Sequence, residues 1–203
     1  MRITLISILF FSFCISLHAQ DTMQHIVPGR QNAASQITKP YVILISSDGF
    51  RYDYAEKYNA QHLLKLRSSG VKAKSMIPSF PSVTYPNHYT VATGLYPSHH
   101  GLVYNQFYDR SRQSSYNISD RKTVEDGTWY GGTPIWVLAE QQAMLTASYF
   151  FVGDEAAIQQ TYATYRYHFN DTANVDFRIN KVVEWLKLPE DMRPHLICFY
   201  ISN

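Results

Sequence analysis

Tyr41-Val42-Ile43-Leu44-Ile45-Ser46-Ser47-Asp48-Gly49 is the stretch whose reading decides the fold. Its continuous apolar run, rich in β-branched side chains, has the signature of a strand buried on both faces, and such strands belong to parallel sheets. Moving outward, Tyr52 to Ser69 reads as a helix carrying Leu63, Leu64 and Leu66 and ended by Gly70. Val71 to Ile77 reads as a second strand. Thr84 to Leu95 reads as a helix with Pro86 in its first turn, where a missing N–H costs nothing. Thr133 to Ala143 is expected to be helical and Leu145 to Val152 a strand. From Ala173 to Leu188, one helical face collects Val175, Ile179, Val182, Val183 and Leu186, and Pro189 ends it. Leu196 to Ile201 is another buried strand. Tyr104 to Gly132 is polar and turn-rich and reads as a surface excursion. Strands alternating with helices predict an α/β fold, a parallel sheet covered by helices on both faces.

The N-terminus reads differently. Met1-Arg2, an apolar stretch from Ile3 to Leu17, and Leu17-His18-Ala19-Gln20 together read as a signal peptide over residues 1–20, cleaved near Ala19 or Gln20. The competing reading is an uncleaved anchor, but the apolar run is short for a membrane span. Localisation is therefore expected to be exported, periplasmic or secreted, with no stable span after cleavage. Residues 21–39 read as an irregular leader, and the catalytic domain is expected over residues 40–203. Cleavage would leave one cysteine, Cys198, and hence no internal disulfide.

Composition narrows the function classes. With 203 residues, 45% of them hydrophobic, the chain can form one ordinary domain or half of a large one. Lys and Arg number 18 against 16 Asp and Glu, with no basic stripe, which argues against a partner such as duplex nucleic acid.

The chemistry concentrates between residues 46 and 105. Asp48 follows the first strand, where open α/β sheets bind ligands, and a carboxylate there suits a metal or a substrate. Asp-Gly is equally the dipeptide of a tight turn. Thr84 sits where a helix begins, beside N–H groups and a positive dipole end suited to phosphate. It is equally a favoured helix N-cap residue. His88 can be a base, a ligand or a core histidine, and its periodicity favours the core.

Taken together these residues form a longer pattern. Ser46-Ser47-Asp48-Gly49-Phe50-Arg51 precedes Thr84-Tyr85-Pro86-Asn87-His88-Tyr89, then Thr93-Gly94-Leu95-Tyr96-Pro97, His99-His100-Gly101 and Asn105. With Gly132-Thr133-Pro134-Ile135-Trp136, Phe151-Val152-Gly153 and Trp185-Leu186 before Arg193-Pro194, this resembles the nucleotide pyrophosphatase/phosphodiesterase family of the alkaline phosphatase superfamily, from Tyr41 to Asn203.

The resemblance implies a doubly wound, mostly parallel sheet and a site with two zinc ions. It implies that Thr84 is the nucleophile, forming a covalent phospho-threonine, and that Asp48, with Thr84, ligates the zinc that activates that hydroxyl. Zinc can lower the pKa of bound water from about 15.7 to about 7, which is the required kind of activation. Asn105 matches an amide that donates to a non-bridging phosphate oxygen, and otherwise reads as a loop residue. Tyr85 and Phe169 match the aromatics that stack a nucleobase, and otherwise read as packed core rings. His88, His99 and His100 are left as structural, and Gly94 and Gly101 as helix-ending glycines. The implied substrate is a small-molecule nucleotide or another phosphodiester. The alternatives are a phosphomonoesterase or phosphonate hydrolase of the same superfamily, or a non-catalytic remnant.

Two departures stand out. Phe151-Val152-Gly153 occupies the place of a common Trp-Pro-Gly and loses a large ring. The family's Asp-x-x-Gly-His ligand segment is expected beyond Asn203, so the fold is expected to be incomplete at its C-terminus. Asp48 and Thr84 alone fall short of the three protein ligands of a catalytic zinc.

Overall fold

The computed structural model describes residues 23–202, so the expected signal peptide over residues 1–20 lies outside the described residues. The first described strand is β1 (Gln24–Ile26), followed by the one-turn helix α1 (Ala34–Ile37) and by β2 (Val42–Ser47). Helices α2 (Tyr54–Lys57) and α3 (Gln61–Ser69) lead through irregular chain to α4 (Thr84–Thr93) and α5 (Pro97–His100). A hairpin of β3 (Gln106–Asp109) and β4 (Ser114–Asn117) precedes α6 (Arg121–Val124), a 3-10 turn and α7 (Ile135–Glu140). Then come β5 (Thr146–Tyr149), β6 (Tyr165–Tyr167), α8 (Val175–Leu186) and β7 (Leu196–Ile201).

The main sheet has the order β1-β6-β5-β7-β2. Every pair is parallel except β1 with β6. Successive residues of a strand point to opposite faces, and the contacts divide accordingly. On one face Tyr149, Tyr165 and Tyr167 gather around Trp185 of α8, with ring centroids 6.0, 6.3 and 6.2 Å away. On the other, the Thr146 and Thr164 hydroxyls donate to the carboxylate of Glu140 in α7 at 2.7 and 3.0 Å, and Arg30 pairs with it at 2.9 Å. Tyr200 meets His88 of α4 on that same face. Helices therefore cover both faces, as the alternation of elements predicts. Helix α8 forms where expected, but its expected apolar stripe does not all face the core: Val175, Ile179 and Val183 are 40%, 47% and 41% exposed, and the face turned inward carries Arg178 and Trp185. Its start is capped by Asn174, whose side chain accepts from the Asp176 and Phe177 N–H groups. Among the described residues no helix is long and apolar enough to cross a membrane.

Five further expectations need correction. The run at Val42–Ile45 forms its strand, but Val42, Ile43 and Ile45 are 52%, 43% and 62% exposed. The cause is position: β2 is the edge of the described sheet, with β7 alone beside it. Residues 71–77 form no strand, and Val71, Met76 and Ile77 lie exposed without a ladder partner. The helix expected over 52–69 splits at Asn59, whose φ of 49° breaks the helical path.

The leader expected to be irregular over 21–39 carries β1 and α1. It is stitched in by Asn32, whose amide donates to the Glu190 and Arg193 carbonyls and accepts from the Leu145 N–H. The excursion from 104 to 132 is not all surface, because Tyr116, Trp129 and Tyr130 from it are buried and close the core beside Tyr89.

Candidate active site

The site is assembled at the carboxyl end of β2. Asp48 follows that strand directly and its N–H donates to the Ile201 carbonyl at 2.9 Å, which fixes where the side chain starts. Gly49 takes a φ of 64°, so the tight-turn reading of Asp-Gly holds alongside any chemical one. Thr84 is the first residue of α4, while the cap position belongs to Val83, which has no side-chain cap. The Thr84 hydroxyl is therefore not used as an N-cap. It donates to Asp48 Oδ2 at 2.9 Å, across 36 positions of sequence. Tyr200, at the end of β7, donates to the same oxygen at 2.9 Å. Burial, and its bond to the Asp48 carboxylate, raise the Tyr200 phenol above its ordinary pKa, so it stays a donor.

Asn105 lies just beyond α5 and its terminating Gly101. Its side-chain oxygen accepts from the Tyr85 N–H at 3.0 Å, which leaves the NH2 as the end able to donate. This bond also changes the expected anion site at the helix end. Tyr85's N–H is taken and Pro86 has none, so of the first turn Thr84 retains its N–H for a ligand.

Thr84 stands on the wall between two cavities. One, of about 540 Å³, is lined by Asp48, Thr84, Asn87, His88 and Asn105, with Met76 and Ile77 on its outer side. The other, of about 390 Å³, is lined by Thr84, Tyr85, Phe150, Phe151, Phe169 and Tyr200. The two aromatics singled out in the sequence thus reach one cavity with Thr84. Phe169 is 42% exposed at its rim, while Tyr85 packs on Tyr116 and burial raises its phenol pKa. Phe151 and Val152 line the same space.

The histidines divide. His88 donates from Nδ1 to the Thr84 carbonyl at 2.8 Å and is set edge-on to Tyr200 and Phe151, so it braces the start of α4. Its Nε2 is buried without a hydrogen-bond partner. His100 accepts from the Leu102 N–H on Nδ1, so its proton sits on Nε2 and goes to Thr90. Burial lowers its pKa to about 4, as befits a neutral structural ring. Gly94 and Gly101 end α4 and α5 with φ of 70° and 86°, the left-handed geometry expected of them.

Sequence patterns did not bring out three residues here: Tyr200, Glu155 and Arg121. The parallel pairing of Ser46 with Tyr200 is the signal that could have found the first, since neighbouring parallel strands end at the same rim. Glu125, Glu155 and His168 also bring ligand-type atoms within 4.8 Å of one another. Arg121 pairs with both of these glutamates and already supplies the positive charge.

Residues 42–203 match the sequence model of the family described as type I phosphodiesterase / nucleotide pyrophosphatase. The chain belongs to that family. It is 39% identical over 179 residues to an uncharacterized pyrophosphatase/phosphodiesterase of Schizosaccharomyces pombe, covering 88% of this chain and 37% of the relative. It is 38% identical over 164 residues to venom phosphodiesterase 2 of Crotalus adamanteus, covering 80% of this chain and 20% of the relative. Human ectonucleotide pyrophosphatase/phosphodiesterase 5 superposes with a TM-score of 0.75 at 29% identity, over 80% of this chain and 43% of that one. The family is metal-dependent and its fold is alkaline-phosphatase-like, and the chain spans about a fifth to two fifths of the relatives' length.

Proposed function

We propose that this chain carries the nucleophile half of a metal-dependent hydrolase that cleaves phosphodiester or pyrophosphate bonds of nucleotides or related diesters. The observation that carries the reading is the Thr84 hydroxyl held on Asp48 at 2.9 Å, at a helix start, on a cavity that Asn105 also lines. The relatives named as phosphodiesterases and nucleotide pyrophosphatases support the bond class. A structure of murine ectonucleotide pyrophosphatase/phosphodiesterase 5 was solved in complex with AMP, which supports a nucleotide as the ligand.

In this reading Thr84 Oγ attacks phosphorus in line, its proton passing toward Asp48 Oδ2. The bond to the leaving oxygen breaks and a phospho-threonine forms, which water then hydrolyses. The Asn105 NH2 donates to a non-bridging oxygen as charge builds there, a contribution of about 2.7–4 kcal/mol for donors of this type. The Thr84 N–H and the α4 dipole act on the same group. Tyr85 and Phe169 flank the base, worth about 1–3 kcal/mol by stacking. Tyr200 holds Asp48 in place.

The residues fit part of a zinc shell. Asp48 and Thr84 offer two oxygen donors on one wall, against the three protein ligands usual for a catalytic zinc. Two zinc ions, when bound, would lower the pKa of the attacking hydroxyl and of water and neutralise charge on the phosphoryl oxygens. Export to the periplasm or exterior is proposed from residues 1–20 and from relatives named as ectonucleotide enzymes and venom proteins.

The test compares nitrophenyl thymidine monophosphate with nitrophenyl phosphate in the full-length protein. Preference for the diester is expected, and faster turnover of the monoester would overturn the diester reading.

A further inference from the structure

We infer that Glu155 is the positioning residue of the aromatic cavity: it sets where Phe169 stands by holding that residue's backbone, and Arg121 holds Glu155. The inference rests on the proposed role of Phe169 as a base-stacking wall.

Phe169 needs such a holder. It lies in the loop after β6 and its ring is 42% exposed. Its ring contacts are with Phe150 at 5.3 Å and Tyr200 at 6.5 Å, and its outer side is open. A ring in that position goes where its backbone goes. The Phe169 N–H donates to Glu155 Oε1 at 3.2 Å, linking two loops 14 residues apart. Glu155 is 5% exposed and lines the cavity.

A carboxylate so buried is costly unless its charge is met, and Arg121 meets it through Oε2. Arg121 stands at the start of α6 and is itself fastened to Glu125 Oε1 at 2.6 Å. On the preceding residue, His168 stacks on His25 of β1 with centroids 4.2 Å apart. The wall is therefore pinned at two successive residues. The bond at Phe169 is charge-assisted and so stronger than a neutral one. Both Glu155 oxygens are engaged by protein groups, so the carboxylate acts through Phe169.

The expected consequence is selective. Loosening Glu155 lets the Phe169 loop shift, which weakens the grip on a base and leaves the reacting group's own contacts, Thr84, Asp48 and Asn105, in place. The measurement is the ratio of kcat/KM for nitrophenyl thymidine monophosphate to that for methyl nitrophenyl phosphate, a diester without a base, in the full-length protein. Glu155→Ala is expected to lower this ratio about fivefold to tenfold, part of the range that one stacking contact supplies. Glu155→Gln keeps an acceptor for the Phe169 N–H and should lose less, as should Arg121→Gln. In a Phe169→Ala background, Glu155→Ala should change the ratio less than twofold, because the wall it positions is gone.

A ratio unchanged by Glu155→Ala but lowered by Phe169→Ala overturns the positioning role while the stacking reading stands. An equal loss with and without Phe169 also overturns it, since Glu155 would then act on the nucleotide by another route. A ratio unaffected by Phe169→Ala overturns the stacking reading and this inference with it. Should Glu155→Ala fail to fold, Glu155→Met, which removes the acceptor and keeps the side chain's volume, gives the same comparison.

Discussion

Ile43 and Ile197 are cross-strand partners on one face of the sheet, yet Ile197 is 1% exposed and Ile43 is 43% exposed. The two residues stand for two flanks. Around β5, β6 and β7 the strands are buried, α7 and α8 cover both faces, and Trp136 and Trp185 are sealed. Around β2 the strand is a half-exposed edge, and the polar groups of the site open onto a cavity at its end. One flank is organised by packing and the other by placed polar atoms. Identical side chains, paired in identical register, therefore carry different weight according to what lies over them.

That contrast can be broken by mutation. The largest effect is expected from Thr84→Ala: kcat in the full-length protein should fall roughly 10⁴–10⁶-fold, as when a nucleophile's constellation is dismantled. Urea unfolding should move by no more than about 1 kcal/mol, since the hydroxyl serves a cavity and not the core. Ile197→Ala should do the reverse. It removes methyl groups from a sealed layer and should cost about 2–5 kcal/mol, read from the urea midpoint. A smaller change in free energy is expected from Asn105→Ala. It should lower kcat about 10²–10³-fold by removing the donor to the phosphate oxygen, again with little change in the midpoint. The smallest effect is expected from Ile43→Ala, at about 1 kcal/mol or less. Equal losses from Ile43→Ala and Ile197→Ala would erase the distinction between the flanks.

Much of this contrast was legible in the sequence, for reasons that differ by residue. β7 and α8 announce themselves because periodicity is a local property, and both form within a few residues of their expected limits. Asp48 and Thr84 were both singled out, and they meet although 36 positions separate them. The strand at β2 was legible but its exposure was not, because an apolar run reports a strand and not what covers it. The strand expected at 71–77 failed for a related reason: its side chains suit a ladder, but no neighbouring backbone is there to pair with. Asn32, Glu140 and Glu155 were illegible, since each acts through hydrogen bonds to chain that is remote in sequence or follows no periodicity. Tyr116 was hidden by the polarity of its neighbours, which line the hairpin's outer side while it faces inward.

The stitching of the first described residues has a consequence for where this unit begins. The match to the family model starts at residue 42, but the fold's own register starts earlier. Arg30 reaches the Glu140 hub and the Tyr162 carbonyl, and Asn32 bridges the 145 and 190–193 loops. A chain trimmed to residues 42–203 would lose the clasp joining three loops at the end of the sheet away from Asp48. Limited proteolysis before residue 40 should thus loosen the packed flank first and leave the reacting corner to follow. In this molecule the boundary of the family's shared core and the seam where the structure can be cut are two different places.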